Sequence, residues 1–269
     1  MVPAAAEPRR AVKVRFLGTG TSFGVPVIGC RCEVCSSDDP RNRRTRHGML
    51  VEEDGRRLLV DTPPELRLQL VEAGVRQVDA VFVTHPHADH LHGVDDLRIF
   101  TLRSEHALPV HVADEYREEI RDRFPYVFSE QVEPDPGSTV PDLELRTFRD
   151  RQPFRAAGFE VTPFGCPHGS YTSYGLRVGD LAVVVDAKEI PEKALPLLEG
   201  VRVLAVNALW FGNPHPTHFN VEEAVDAARR VGAERTFLTH MTHRLEHRET
   251  AERLPEGVRP AHDGLVVEL

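Results

Sequence analysis

The sequence contains 269 residues, of which 41% are hydrophobic, and it carries a formal net charge of −9 at pH 7. This length and hydrophobic content suffice for one large α/β domain or two small ones. The negative charge argues against a protein that binds nucleic acid or a membrane mainly through electrostatic attraction.

Residues 1–10 contain Ala and Pro but lack the apolar core of a signal peptide. No run in the sequence approaches the roughly 18 apolar residues of a transmembrane helix. The four cysteines fit a reducing compartment better than a disulfide framework. We therefore expect residues 1–10 to form a flexible arm on a cytoplasmic protein without membrane association.

The first predicted element is a half-buried strand over residues 12–17, in which apolar and polar residues alternate. It leads into a Gly-rich segment from Gly18 to Gly24. Such a segment could cradle a phosphate, but this one lacks the Lys of a P-loop and no helix clearly follows it. We therefore favour a tight turn beside a functional site.

Three of the four cysteines, Cys30, Cys32 and Cys35, occur within six positions. In a cytosolic protein this cluster indicates metal binding more than disulfide formation. Three thiolates need a fourth ligand to complete a tetrahedral structural zinc site. A reduced cluster without metal is the alternative.

A basic run from Arg41 to Arg46 contrasts with the acidic character of the whole chain. Such runs are typical of a solvated protein face. This one could also bind the phosphate of an anionic substrate, or tie the cysteine loop down through carboxylates. The sequence leaves these interpretations open.

A predicted β-hairpin over residues 49–61 has Asp54-Gly55 at its turn, and a short amphipathic helix follows it. Asp61 ends the second strand, at the mouth of the predicted sheet. A carboxylate there can accept a hydrogen bond from a metal-bound histidine and hold its tautomer. Asp61 is therefore a candidate partner that orients a ligand histidine.

The densest group of metal-binding side chains follows an apolar strand that begins at residue 80. His85, His87, Asp89 and His90 lie within six positions, and their N and O donors suit zinc, iron or manganese. His85 and His87 point to the same side of an extended chain, so they can bind one ion. Asp89 and His90 can bind a second. The motif predicts a hydrolase with two metal ions.

The middle of the chain is predicted to alternate between helices and strands: a helix over residues 94–102, a strand over 109–112, a helix over 115–124, and strands over 143–148 and 154–164. Asp114 is expected to cap the second helix. The last two strands are assigned to the second half of the fold.

A second hairpin, over residues 174–186, repeats the order of strand, Gly-containing turn, strand and terminal Asp seen over residues 49–61. Asp186 thus corresponds to Asp61. This weak internal symmetry predicts two halves that face each other. The lone His168, after the preceding strand, is a candidate ligand.

A buried strand over residues 201–209 leads to His218 and then to Asn220. Asn220 is a predicted N-cap, with Glu223 at the capping-box position of a helix over residues 221–231.

The last strand, over residues 235–239, ends at His240, which is followed three positions later by His243. Its position makes His240 the natural final ligand of a second ion. His262 is a less favoured competitor.

The order His85-x-His87-x-Asp89-His90 after an apolar strand resembles the signature of the metallo-β-lactamase superfamily. The resemblance implies an α/β fold, the four-layer αββα sandwich, as a single domain over residues 11–269. It also implies a third histidine of the first ion at His168 and a bridging carboxylate at Asp186.

Two further patterns, Cys30-x-Cys32-x-x-Cys35 and His240-x-x-His243, resemble the PhnP-like phosphoribosyl cyclic phosphodiesterase subgroup, and Leu17-Gly18-Thr19-Gly20 is similar to the opening of tRNase Z-like and PhnP-like members. The subgroup resemblance implies that His243 completes the structural zinc site. It further implies a catalytic role for His218 and a homodimer.

The implied active site holds two divalent ions, zinc or manganese, with a structural zinc elsewhere. The first ion is assigned to His85, His87 and His168; the second to Asp89, His90 and His240; Asp186 bridges them. Asp89 and His218 are the residues expected to take part in catalysis directly.

The expected activity is hydrolysis of a small cyclic or nucleotide-like phosphodiester through two-metal activation of a bridging hydroxide, with His218 donating a proton. One alternative is an RNA-processing nuclease of the tRNase Z type, which the acidic charge and the lack of a long Gly/Pro-rich arm disfavour. The other is an accessory metalloprotein similar to coenzyme PQQ synthesis protein B.

Overall fold

A computed structural model describes residues 12–102, 104, 106–128 and 137–269. Within these residues, fourteen strands form two seven-stranded sheets. The arm expected over residues 1–10 lies outside this part of the chain. In chain order the strands are β1 Lys13–Gly18, β2 Gly48–Glu53, β3 Arg56–Val60, β4 Ala80–Phe82, β5 Leu108–Ala113, β6 Leu143–Phe148, β7 Phe154–Ala156, β8 Phe159–His168, β9 Tyr171–Val178, β10 Leu181–Val184, β11 Val203–Asn207, β12 Arg235–Thr239, β13 Val258–Pro260 and β14 Val266–Glu268.

The helices within the same residues are mostly short. They are α1 Leu66–Glu72, α2 Ala88–Leu91, α3 Arg98–Thr101, α4 Arg117–Arg123, α5 Pro125–Phe128, α6 Val221–Val231 and α7 His247–Arg253, with 3₁₀ helices at Pro40–Asn42, Val94–Leu97, Asp114–Tyr116 and Glu192–Leu198. In the described part of the chain, no helix combines the length and the apolar character needed to cross a bilayer.

The two sheets have related topologies. The first has the order β14-β1-β2-β3-β4-β5-β6 and the second the order β13-β12-β11-β10-β9-β8-β7. In each, an antiparallel hairpin, β2–β3 or β9–β10, is followed by parallel strands joined through crossover connections. The predicted internal symmetry is therefore present in the strand order.

Alternating side chains of the second sheet face two different cores. On β10, Leu181 and Val183 belong to the core between the sheets, and Ala182 and Val184 belong to a core on the outer face. The outer core contains apolar residues of α6, including Ala224. Because central strands such as β10 are buried on both faces, helices cover the outside of the sheet pair. This confirms the α/β sandwich expected from the sequence.

Two local predictions are confirmed at the level of hydrogen bonds and dihedrals. Asn220 accepts from the Glu223 backbone N–H and Glu223 accepts from that of Asn220, which is a complete capping box for α6. The hairpin β2–β3 turns at Asp54 and Gly55, whose φ values are 50° and 81°, as a two-residue turn requires.

Three details of the predicted elements were wrong. The strand over residues 143–148 pairs in parallel with β5 and so belongs to the first sheet. The strand over 154–164 is broken at Ala157 and Gly158, which turn the chain between β7 and β8 with positive φ. Asp114 lies in the first turn of a 3₁₀ helix, and Ala113 occupies the N-cap position.

Candidate active site

The predicted ligands converge where strands of both sheets end. Asp61 follows β3, His85 follows β4 closely, Asp186 follows β10 closely, and His240 follows β12. Asp61, Asp186 and His240 have φ values of 64°, 50° and 52°. Residues other than Gly seldom adopt such angles, which cost about 1–3 kcal/mol each and concentrate at functional sites. Backbone strain therefore marks the same edge that carries the ligands.

One group of ligand atoms comes from His85, His87, His168 and Asp186. The Nδ1 atom of His87 lies 2.9 Å from His85 Nε2 and 3.3 Å from His168 Nε2. Asp186 Oδ2 lies 3.6 Å from Nε2 of both His85 and His168. All four ligand atoms lie within 4.8 Å of one another. Ring nitrogens converging on a carboxylate in this way form a suitable cation site.

A second group comprises Asp89, His90, Asp186 and His240, again within 4.8 Å. His90 Nε2 lies 3.4 Å from a carboxylate oxygen of Asp89 and 3.4 Å from one of Asp186. His240 Nε2 is 2.8 Å from the other oxygen of Asp186. Asp186 therefore faces both groups, through Oδ2 in the first and through both carboxylate oxygens in the second, as a bridging ligand would.

Buried atoms without partners show that these residues fit a metal centre. Within the described residues, His90 Nε2, His240 Nε2 and Asp186 Oδ1 form no hydrogen bond, although the last two atoms lie 2.8 Å apart. Each unsatisfied buried polar group costs about 1–3 kcal/mol. Divalent cations would satisfy all of them, and a donor set of imidazole and carboxylate suits zinc or manganese.

Hydrogen bonds from outside the two groups orient three of the histidines. Asp61 accepts from Nδ1 of His90 at 2.6 Å, and it also accepts from the backbone N–H and the hydroxyl of Thr84. The Thr84 hydroxyl lies 3.0 Å from Nδ1 of His85. Nδ1 of His168 donates to the Thr217 carbonyl at 3.2 Å. Each contact uses Nδ1, so that Nε2 is left to face the site.

The electrostatic environment differs between the two ligand groups. Burial lowers the pKa of His85 well below its ordinary value and lowers the pKa of His168 to about 4. Burial opposes the charge of Asp186, but His240 and His90 hold the pKa of Asp186 well below its usual range. Burial also opposes the charge of His240, but the neighbouring carboxylates, chiefly Asp186, raise the pKa of His240 to about 9. Against the same effect of burial, the carboxylates, chiefly Asp89, raise the pKa of His90 well above its ordinary value. A divalent cation requires neutral imidazoles and an ionised carboxylate, so these two rings would release their protons when metal binds.

A separate group joins the cysteine loop to the segment after His240. Nδ1 of His243 lies 3.3 Å from the sulfur of Cys30 and 3.5 Å from the sulfurs of Cys32 and Cys35. The backbone N–H of Cys35 donates to the Cys32 sulfur, the main reason why the pKa of Cys32 falls to about 6. Three sulfurs and one imidazole match a tetrahedral structural zinc site.

An open pocket of about 380 Å³ gives access to the paired ligand groups, and its walls include Ser22, Tyr171 and His218. The Tyr171 ring packs edge-on against His87. His218 Nε2 lies 3.5 Å from Asp186 Oδ2, and its ring stacks on that of His240. The structure thus places the histidine with a predicted catalytic role at the metal-facing wall.

Not every candidate from the sequence reaches this site. His262 lies outside all the ligand groups, and its Nδ1 donates to the neighbouring Asp263 carbonyl. The Gly-rich loop lies beside the pocket, and a Cβ on Gly20 would come within 2.7 Å of the Arg44 carbonyl oxygen. The close approach explains the Gly and supports a tight turn at this position.

The basic run does not form a single solvated patch. Arg41 pairs with Asp39, and Arg46 pairs with Glu65 at 2.6 Å. Arg44 is buried and donates to the backbone carbonyls of Thr242 and Leu245. Arg44 therefore ties down the segment after His240 through backbone carbonyls, whereas one of the open interpretations had carboxylates in that role, and no local sequence signal distinguishes Arg44 from its neighbours.

Comparisons with known proteins agree with this architecture. The family model for the beta-lactamase superfamily domain matches residues 56–241. A solved structure of a diphosphatase from the PhnP family is similar with a TM-score of 0.89 and 34% sequence identity, covering 97% of this chain and 98% of that one.

Two curated proteins are similar in sequence. A ribonuclease Z from Methanopyrus kandleri is 26% identical, covering 96% of this chain and 98% of that protein. An octanoyltransferase from Porphyromonas gingivalis is 38% identical over 93% of this chain, which spans only 50% of the length of that protein. The family model and the likeness to the PhnP-family diphosphatase, taken with the paired ligand groups, show that the chain belongs to the metallo-β-lactamase superfamily and is a metal-dependent hydrolase.

Proposed function

We propose that this hydrolase is a phosphodiesterase that cleaves a small cyclic or nucleotide-like diester at a pair of divalent ions. The observation that carries the proposal is the shared carboxylate of Asp186, which faces two ligand groups and the imidazole of His218 together. The pocket of about 380 Å³ lies at the lower end of the range for small-molecule sites. The names of two relatives, a diphosphatase and a ribonuclease, both denote cleavage at phosphate groups.

Each residue of the site has a role in this reaction. Two divalent ions, when bound, would supply a water nucleophile at neutral pH and would neutralise charge on the phosphoryl oxygens. His85, His87 and His168 would hold one ion, and Asp89, His90 and His240 the other. His218 would donate a proton from Nε2 to the leaving oxygen. A zinc ion at the cysteines and His243 would brace the segment that carries His240.

An RNA-processing nuclease is the second candidate, supported by the likeness to a ribonuclease Z. The surface charge disfavours it, because Arg41 and Arg46 are paired with carboxylates and Arg44 is buried. A nuclease would cleave precursor RNA with a steep dependence on salt. An accessory protein of the PQQ synthesis type would instead show no turnover. The homodimer and the cytoplasmic location stay predictions.

The test combines metal analysis with turnover of bis(p-nitrophenyl) phosphate and of a 2′,3′-cyclic nucleotide. The metal-loaded enzyme should hydrolyse both, and a chelator should abolish the activity. His218→Ala should lower kcat on the cyclic nucleotide by about 100-fold with unchanged metal content. His106→Ala, at an exposed histidine outside the pocket, is the matched control. If the metal-loaded enzyme hydrolyses neither diester, the proposal is refuted. Loss of metal in His218→Ala would show that His218 is a ligand.

A further inference from the structure

The hydroxyl of Thr217 lies at the centre of a hydrogen-bonded group on the Nδ1 side of His218, whereas Asp186 lies on the Nε2 side. Thr217 Oγ1 is 2.8 Å from Nδ1 of His218 and 3.2 Å from Nδ1 of His215. The two Nδ1 atoms are themselves 3.2 Å apart. The chemistry proposed above uses neither Thr217 nor His215, so the group calls for a separate explanation.

The backbone determines the direction of these hydrogen bonds. The N–H of Thr217 donates to Nδ1 of His215 at 3.3 Å. An N–H can only donate, so this ring nitrogen must be an acceptor without a proton. The chain of bonds therefore has a fixed acceptor at its outer end, on a histidine that is only partly buried.

The fixed acceptor suits the protonated form of His218. His218 becomes a neutral imidazole on releasing a proton from Nε2 only if it first carries protons on both nitrogens. Its Nδ1–H then needs a hydrogen-bond acceptor. Thr217 Oγ1 can accept a hydrogen bond from His218 Nδ1–H, and its own hydroxyl then donates to Nδ1 of His215, which also accepts from the Thr217 backbone N–H. In this arrangement every donor has an acceptor, and Nε2–H is left to point into the pocket.

The side chain of Thr217 is held in the orientation that this requires. Its methyl group faces Gly169, where an added Cβ would come within 3.1 Å. Its carbonyl accepts from Nδ1 of His168 at 3.2 Å. The carbonyl contact belongs to the backbone, so a change of side chain leaves it in place. The hydroxyl can thus be tested separately from the support that Thr217 gives to a predicted ligand.

We infer that Thr217 and His215 are positioning residues that hold His218 with Nε2–H directed at the leaving oxygen of the substrate. The inference rests on the proposed role of His218 as proton donor. As the P–O bond to the leaving group breaks, that oxygen takes the proton from Nε2, and His218 regains a proton from water. Thr217 and His215 contact only His218 in this step, and they act through it.

The test depends on how much the leaving group needs a proton. An alkoxide leaving from a 2′,3′-cyclic nucleotide needs one, and p-nitrophenolate does not. Thr217→Val keeps the size of the side chain and removes the hydroxyl. It should lower kcat on the cyclic nucleotide about tenfold, change kcat on bis(p-nitrophenyl) phosphate less than about twofold, and leave KM and metal content unchanged. Thr217→Ser, which restores the hydroxyl, should recover activity to within about twofold of wild type.

His215→Ala provides a second variant at a partly exposed position. Without the outer acceptor, kcat on the cyclic nucleotide should fall about threefold, and kcat on bis(p-nitrophenyl) phosphate should not change. The inference is overturned if Thr217→Val retains the wild-type ratio of the two kcat values, if Thr217→Ser fails to restore it, or if Thr217→Val loses metal. Should Thr217→Val fail to fold, an unchanged ratio in His215→Ala overturns it instead.

Comparison with His218→Ala separates this inference from the proposed function. If His218→Ala retains full activity on the cyclic nucleotide, the proposed proton donor is wrong, and the inference about Thr217 fails with it. If His218→Ala is impaired on the cyclic nucleotide while Thr217→Val and His215→Ala behave as wild type, only the positioning role is refuted.

Discussion

Arg44 is a buried cation that joins two segments far apart in the chain. Its side chain is 1% exposed, and its guanidinium donates to the carbonyls of Thr242 at 3.0 Å and Leu245 at 2.7 Å. These acceptors flank His243 and come shortly after His240. Arg44 therefore holds the segment that presents a predicted catalytic ligand and a predicted zinc ligand.

Replacement of Arg44 by Met keeps most of the aliphatic packing and removes both donors. Hydrogen bonds from a charged group contribute about 1.5–3 kcal/mol each, so two of them contribute about 3–6 kcal/mol. Burial of the guanidinium, which lowers the pKa of Arg44 to about 10, offsets part of this gain. We expect the free energy of unfolding to fall by about 3 kcal/mol.

Urea unfolding of the zinc-loaded proteins measures this loss. With an m-value of about 3 kcal/mol/M, the midpoint should fall by about 1 M. The Lys side chain of Arg44→Lys can donate to one carbonyl but not to both, so the urea midpoint of this variant should lie between those of Arg44→Met and wild type. Arg43→Met, at an exposed neighbouring position, should change the midpoint by less than about 0.2 M. A midpoint of Arg44→Met within about 0.2 M of wild type would refute the reasoning.

Three further predictions follow from the ligand supports and from a buried histidine outside the site. Asp61→Asn should lower metal affinity or kcat by about 10–100-fold in a zinc titration with parallel kinetics, because Asn cannot accept from His90 as a carboxylate does; unchanged values would exclude this role. Cys32→Ser should lower the zinc content by about one ion per chain in elemental analysis, whereas Cys166→Ser should not; equal contents would argue against the structural site. Burial lowers the pKa of His111 from 6.5 to about 4. As the pH falls, the unfolded chain therefore binds a proton at this histidine before the folded chain does. The free energy of unfolding decreases below pH 6.5 by about 1.4 kcal/mol per pH unit. Between pH 6.5 and pH 5 the wild type should therefore lose about 2 kcal/mol more than His111→Phe in urea unfolding, and parallel curves would contradict the assignment.

The features predicted most accurately are those encoded within a few residues. The capping box of α6, the two-residue turn at Asp54-Gly55 and the short-range motif His85 to His90 depend on local spacing and turn chemistry. Patterns of this kind report backbone conformation directly, because the interacting groups are close in the chain.

The errors occurred where the local sequence pattern is compatible with more than one strand arrangement. Residues 143–148 read as a strand in either half, and only their pairing with β5 assigns them to the first sheet. Residues 154–164 alternate as one strand would, but the turn at Ala157 and Gly158 divides them. Strand pairing is a contact between distant segments, and hydrophobic periodicity does not specify the partner.

The sequence by itself determined that this protein carries a strand followed by a dense group of metal-binding residues, a cysteine cluster and two symmetric hairpins. The folded chain brings distant residues together: the carboxylate of Asp186 between two ligand groups, and His243 against the cysteines. These two contacts were expected only through the family resemblance, and the contact of Thr217 with the ring of His218 was seen only in the tertiary structure. Tertiary structure also decided that Arg44 is buried while Arg43 is exposed, although both stand in the same basic run. The physical reason is that burial and ligand geometry depend on partners such as Thr242, 198 positions away from Arg44, which only the packing of the folded chain brings into contact.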